Sequence, residues 1–472
     1  MTLAQIAVLV ALAAILGRLK RGRSLALLAV STGVVFWLQP AEPLATLGFW
    51  LPSATIALTA VAWVVTSAPE ARSWKDAWPA IGVVVGLALL LGLSGPVAQR
   101  LNPALVVPSA RTVTVTLLAI AIVAAGLWHG KLRPAYVTAA LTASILLVFL
   151  LVKWPWIFRA GVAWWSGAFG EGREAGNGIP FTWLGFSYVA FRLLHTIRDQ
   201  RAGRLPVLTL GEYINYVIFF PAFTAGPIDR AERFVKDLRS PLELSNDDLL
   251  AAITRLVSGL FKKFVLADML AVIAVNDVLV LHVRTAGWMW VFLYAYAFRI
   301  YLDFSGYTDM AIGMGRLLGV RLPENFDAPY LKPNLALFWN SWHMSLTQWF
   351  RSYVFNPLTR ALRTTRQPLP LPVAVLATQM TTMVLIGLWH GVSWSFALWG
   401  MWHGLGLFIH NRWLEFGRAR WPLMALSPGA RRAAHGLGVL ATFHYVCLGW
   451  LLFGLSTPSL AWQAFRVLVG AG

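Results

Sequence analysis

The chain has 472 residues, 58% of them hydrophobic and 12% charged, with a mean hydropathy of +0.64. A soluble domain carries about a quarter charged residues, so this composition excludes a soluble enzyme and implies an integral membrane protein. Basic residues exceed acidic ones by 19, but they stand in short loops between apolar runs, the positive-inside pattern of a protein in a lipid bilayer, and nucleic acid is not expected as a partner.

The first apolar run, 3–17, is followed by Arg18, Lys20, Arg21 and Arg23. A cleavable signal peptide carries its charge first, so this run reads as a retained helix with its N-terminus outside. Further runs of spanning or near-spanning length lie at 24–40, 46–66, 78–97, 112–128 and 135–152. They are poor in polar residues, and 1–178 is expected to form a transmembrane scaffold. Residues 153–180 form a Trp- and Gly-rich outer segment, and 181–195 returns inward.

Beyond residue 180 the apolar pieces shorten and are interrupted by Pro, Gly, Asp, Arg and His. Such pieces at membrane depth suggest tilted, re-entrant or interfacial helices around a central funnel. The stretch 211–227 is expected to re-enter, and later segments are placed at 284–302, 304–320, 371–388, 392–410 and 433–455. The whole chain is read as an all-α membrane protein with about 11–13 embedded helices. The single cysteine, Cys447, lies in an apolar run, so neither an internal disulfide nor a cysteine metal cluster is expected.

Four polar and aromatic islands stand out. Residues 221–230 read PAFTAGPIDR; Asp229 beside Arg230 can pair or hold a polar ligand, or be the charged edge of a loop. Residues 301–310 read YLDFSGYTDM. A charged Asp at the bilayer centre costs about 3 kcal/mol, so Asp303 and Asp309 must pair or face a polar interior, with Arg299 and Arg316 as expected partners. In residues 338–358, FWNSWHMSLTQWFRSYVFNPL, helical spacing puts Trp339, Trp342, His343, Leu346, Trp349, Phe350 and Tyr353 on one aromatic face. The fourth island is GLWHG at 387–391, where Gly387 and Gly391 allow close approach to the backbone. An imidazole at His390 can take a proton from a hydroxyl near neutral pH. A second GLWHG at 126–130 ends a simple apolar run, and His129 is read as interfacial. The P-loop, HExxH, GxSxG and zinc-ligand patterns do not occur, and no metal is expected.

In this order, GLFKKFVLAD (259–268), IYLDFSGYTDMAIGMG (300–315), RLPENFDAPYL (321–331), the His343 segment and GLWHG resemble the membrane-bound O-acyltransferase family, in particular its bacterial polysaccharide branch. The resemblance covers about 179–450 and implies a catalytic core at 179–455 followed by a short tail at 456–472. It implies His390 and His343 as the catalytic pair, with Trp342, Trp389, Asn340 and Arg351 lining or bracing the site. Asp229, Arg230, Asp303 and Asp309 are further substrate-binding or bracing candidates. It also implies an acyl thioester donor, acetyl-CoA or a phosphopantetheine carrier, with no permanently bound cofactor. Expected partners are an acidic carrier protein on the cytoplasmic side, an extracytoplasmic acyl-delivery protein and a polysaccharide acceptor.

AGPIDRAERF and FWNSWHMSLTQWF are similar to D-alanyl transfer proteins of teichoic acid modification. GLFKKFVLAD and PENFDAPYL are similar to alginate O-acetyltransferases. O-acetylation of an exported polysaccharide at a bacterial inner membrane is favoured, with D-alanyl transfer as the alternative. A secondary transporter or a non-catalytic scaffold would also use interrupted helices.

Overall fold

The computed structural model describes residues 1–93, 134–154 and 182–471 except 20, 41–46, 68–71 and 421–426, with isolated positions between 111 and 163. Every regular element among them is helical, and the chain is an all-α, multi-pass membrane protein. Five helices are long and apolar enough to cross a membrane: Leu47–Thr66, Trp74–Leu91, Ala135–Lys153, Leu371–His390 and Pro428–Gly454. The shorter helices Leu3–Leu16 and Arg23–Trp37 are also apolar. Most of the run 112–128, most of 153–180, and His129 lie outside the described residues.

The described chain forms two compact units, Met1–Arg255 with Ala311–Leu322, and Leu256–Met310 with Pro323–Gly472. Residues 456–472 carry a further helix. Thr457 caps a helix at Pro458–Leu468, which buries Ala461, Ala464, Val467 and Leu468 at three- and four-residue spacing against Asp277–His282 and Pro428–Gly454.

In the first unit, the helices Phe186–Arg201 and Leu210–Val217 are followed by a run of turns at 219–226. Helix ends and turns leave backbone carbonyls without ladder partners, and the buried Arg192 guanidinium donates to one of each, Val217 O at 2.7 Å and Ala222 O at 3.0 Å. Tyr216 Oη donates to Asp229 O at 2.8 Å and lies 2.8 Å from His195 Nε2. Since the single phenolic proton goes to the carbonyl, His195 Nε2 is the donor of that second bond. The Asp229 carboxylate accepts from Arg230 N at 2.7 Å and from Arg233 at 2.6 Å. Asp229 thus fixes the start of the Ala231–Arg239 helix.

In the second unit the expected segments 284–302 and 304–320 are one helix, Ala286–Leu317, whose last residues belong to the first unit. Its sequence contains no proline, and its mid-helix glycine serves packing rather than a break. A Cβ on Gly306 would lie 2.7 Å from Gly259 O, and one on Gly259 would lie 2.5 Å from Gly306 O. Gly259 lies on the helix Asn246–Phe261, which therefore meets Ala286–Leu317 backbone to backbone. The contact brings Lys262 Nζ within 2.7 Å of Asp309 Oδ2, and Lys263 Nζ onto Asp303 Oδ1. The carboxylates pair with these two lysines, not with Arg299 and Arg316 as expected. The lysines open a π-helical turn, Lys262–Ala267, a distortion that rotates neighbouring side chains out of ordinary helical register.

Removing one partner of an ion pair weakens the compensation of the other's charge, whereas replacing both partners by apolar residues comes near to neutral. Lys262→Met alone should therefore lower the melting temperature of the detergent-solubilised protein markedly. Lys262→Met combined with Asp309→Leu should recover most of that loss.

Candidate active site

The sequence around His343 does not continue as one helix. Leu335–Trp339 ends in a turn at 340–343, and a new helix starts at Met344. His343 occupies the left-handed region, φ 42° and ψ 54°, which costs a non-glycine residue roughly 1–2 kcal/mol. Such backbone persists only where its surroundings hold it, and here the holder is Asn325.

The first N–H groups of a helix have no intrahelical acceptors. Asn325, fully buried, supplies them: its O accepts from Met344 N at 2.9 Å, and its Oδ1 accepts from Ser345 N at 3.1 Å and Ser345 Oγ at 2.6 Å. On the exposed side, Arg351 Nη2 donates to Asn340 Oδ1 at 2.8 Å across the same turn. Asn340 and Arg351 thus brace His343 from outside rather than line a cavity. The single aromatic face expected over 339–353 is broken by the left-handed turn.

His343 is 3% exposed, and neither ring nitrogen has a hydrogen-bond partner among the described residues. Its ring meets Phe304 edge-on at 4.7 Å and Trp389 at 6.1 Å. Trp389 in turn lies 4.5 Å from the ring of His390. One indole therefore touches both histidines.

His390 is the last residue of its helix, and close contact with the next helix, Trp394–Arg420, holds that end in place. A Cβ on Gly387 would sit 2.1 Å from Phe396 O, and one on Gly400 would sit 2.4 Å from Met383 O. Gly391 is extended, and a Cβ there would meet the Phe396 ring at 2.8 Å. The His390 ring then packs on Phe453 at 4.7 Å, Trp399 at 5.8 Å and Phe396 at 6.0 Å.

Trp342 is buried one layer behind, against Phe326, Tyr330, Phe338 and Trp450. That wall is tied by Trp450 Nε1 donating to Tyr330 Oη, which donates to Ala297 O. Phe304 leaves the same helix as Asp303 and Asp309, so the lysine pairs anchor the element that carries a ring of the site. Asp229 and Arg230 belong to the first unit, where Asp229 has the structural bonds described above.

Sequence reasoning missed Phe304, Asn325 and Phe453, and passed over Trp399 and His403. His403 is fully buried, packed edge-on against Trp339 at 5.1 Å and against Trp399 at 5.0 Å. The adjacent lysines in GLFKKFVLAD were a usable signal for the ion pairs, since two consecutive charges in an apolar stretch require partners. Asn325 gave no such signal, because a cap supplied by a residue far along the chain leaves no local pattern.

Beside His390 is a cavity of about 580 Å³ lined by Asn276–Val278, Ser393, Ser395, Phe396 and Phe453–Ser456. The two phenylalanines form both its wall and the packing of the His390 ring. A buried imidazole without a hydrogen-bond partner among the described residues, a half-buried imidazole beside a cavity and an indole joining them make a membrane-embedded, histidine-centred site suited to proton transfer.

The chain belongs to the membrane-bound O-acyltransferase family, whose model matches residues 112–427. It is 33% identical over 286 residues to a teichoic acid D-alanyltransferase of Streptococcus thermophilus, covering 57% of this chain and 68% of the relative. It is 30% identical over 320 residues to the Bacillus subtilis teichoic acid D-alanyltransferase, covering 66% of this chain and 76% of the relative. A probable alginate O-acetylase, AlgI, of Azotobacter vinelandii is 33% identical over 290 residues, 61% of this chain. The match spans about half (54%) of that relative's length.

Asn325→Ala removes the Oδ1 acceptor and should cost about 1–3 kcal/mol, seen as a lower melting temperature. By releasing His343 from its left-handed turn, it should also depress the protein's activity by more than Ser345→Ala does.

Proposed function

We propose that the protein transfers an acyl group, acetyl in the favoured reading, from a cytoplasmic thioester to hydroxyls of an envelope polysaccharide outside a bacterial inner membrane. The observation that carries this reading is the contact of His343 and His390 with the same indole, Trp389, in a chain of the O-acyltransferase family. Acyl transfer needs a base for the hydroxyl and a donor for the oxyanion, and two histidines can supply both.

In the proposed step, His390 takes the hydroxyl proton as the oxygen attacks the thioester carbonyl. The new C–O bond forms, the C–S bond breaks, and the proton passes from His390 to the departing thiolate. His343, in its neutral form, donates a ring N–H to the carbonyl oxygen as negative charge develops there. Its aromatic walls exclude water, which would otherwise hydrolyse the thioester.

The positive-inside pattern supports this direction of transfer. Arg360, Arg363 and Arg366, then Arg412, Arg418, Arg420, Arg431 and Arg432, fall on one side together with the first basic cluster. Those loops would attract the phosphates of coenzyme A or an acidic carrier protein. The N-terminus and the His390 end of the Leu371–His390 helix would then lie outside, where an extracytoplasmic delivery protein and the polymer meet the site. D-alanyl transfer is the second reading, favoured by relatives of equal identity that carry that activity in their names.

Mass spectrometry of surface polysaccharide from a deletion strain tests both readings. The deletion should remove an ester that the wild-type gene restores. The membrane-inserted His390→Ala protein should restore at least about a hundredfold less, since positioned acid–base groups contribute about 10²–10⁴ in rate. Full restoration by His390→Ala would reject the catalytic assignment. The mass of the lost group, acetyl or alanyl, decides between the readings.

A further inference from the structure

We propose that the cavity beside His390 binds the acceptor, and that the sugar unit it receives is uncharged rather than a uronate or a phosphate-linked unit. This rests on the acyl-transfer reading above and names its substrate class.

Three observations carry it. The cavity adjoins the catalytic imidazole through Phe396 and Phe453, which belong to its lining and also pack on the His390 ring. Its volume, about 580 Å³, lies in the range of small-molecule sites. Its lining also carries polar side chains, Asn276, Asp277, Ser393 and Ser456, that suit a hydroxyl-bearing ligand.

The charge of the lining selects the ligand. Asp277 is its one ionisable residue, and the other polar side chains are Asn276, Ser393, Ser395 and Ser456. Asp277 is fixed by one oxygen, Oδ1, which accepts from Ser456 N at 3.0 Å, while Oδ2 has no bond among the described residues. A carboxylate only accepts hydrogen bonds, so it suits the hydroxyls of a neutral sugar. A uronate carboxylate or a phosphodiester in the same place would meet a like charge with no lysine or arginine in the lining to offset it, and such juxtaposition is a strong discriminator between partners. The aromatic rings and the Asp277 carboxylate together thus favour a glycan of uncharged, hydroxyl-rich units.

The test uses the deletion strain complemented with the wild-type chain, with Asp277→Asn or with His390→Ala. Envelope polysaccharide is separated into neutral and anionic fractions before ester analysis. The expected result is an ester that the deletion removes from the neutral fraction only. Asp277→Asn keeps the Oδ1 acceptor for Ser456 N and loses the charge, so the chain should insert normally. Its initial rate of esterification of a purified neutral oligosaccharide, measured in membranes, should show a KM raised about tenfold with little change in kcat, the loss of one charge-assisted hydrogen bond. Loss of ester from an anionic uronate or phosphate polymer, or equally from both fractions, would overturn the neutral-acceptor inference while leaving acyl transfer standing. An unchanged KM in Asp277→Asn would remove Asp277 from the acceptor site. Absence of any ester change on deletion would instead reject the acyl-transfer reading itself.

Discussion

The helices Leu371–His390 and Trp394–Arg420 touch backbone to backbone, and the placement of the site follows from that contact. At Gly387 and Gly400 there is no room even for a methyl group. Small residues at a helix interface let dispersion act over a short range, which is the main attraction left between helices once lipid surrounds them. The contact fixes the end of the first helix, and that end carries Trp389 and His390. A larger residue at either glycine would separate the helices and move the imidazole away from Phe453 and Trp399.

The same economy recurs at Gly259 and Gly306, where a second close helix contact brings two lysines onto two aspartates. Those pairs let a 32-residue helix run uninterrupted through a region where unpaired carboxylates would be costly. The helix delivers Phe304 to His343. The His343 turn depends on a third device, the Asn325 carbonyls that cap the following helix and hold a left-handed residue in place. Charge pairing, close helix packing and capping thus each position one part of the site.

Much of the helical scaffold was legible because apolar length is a strong signal: the runs at 46–66 and 371–388 correspond to Leu47–Thr66 and Leu371–His390. The pairing of His343 with His390 around one indole was legible only as a resemblance, since nothing local in either segment says that they meet. Two features escaped for identifiable reasons. The helical period of 339–353 concealed a break, because its cause is Asn325, about twenty residues away. The partners of Asp303 and Asp309 lie on another helix, not on the nearby Arg299 and Arg316. The Pro458–Leu468 helix was legible in its Thr457 cap and in the three- and four-residue spacing of its apolar residues, and the reading of 456–472 as a short tail passed over both.

The central claim is that His343 and His390 act together in one reaction. The most direct measurement is the rate at which an ester appears on surface polysaccharide with wild-type protein, His343→Ala, His390→Ala and the double variant, at matched membrane levels. Residues that act as a unit are strongly non-additive, so the double variant should be no slower than the slower single variant. Losses that multiply independently, or ester formation unaffected by either substitution, would contradict a shared site.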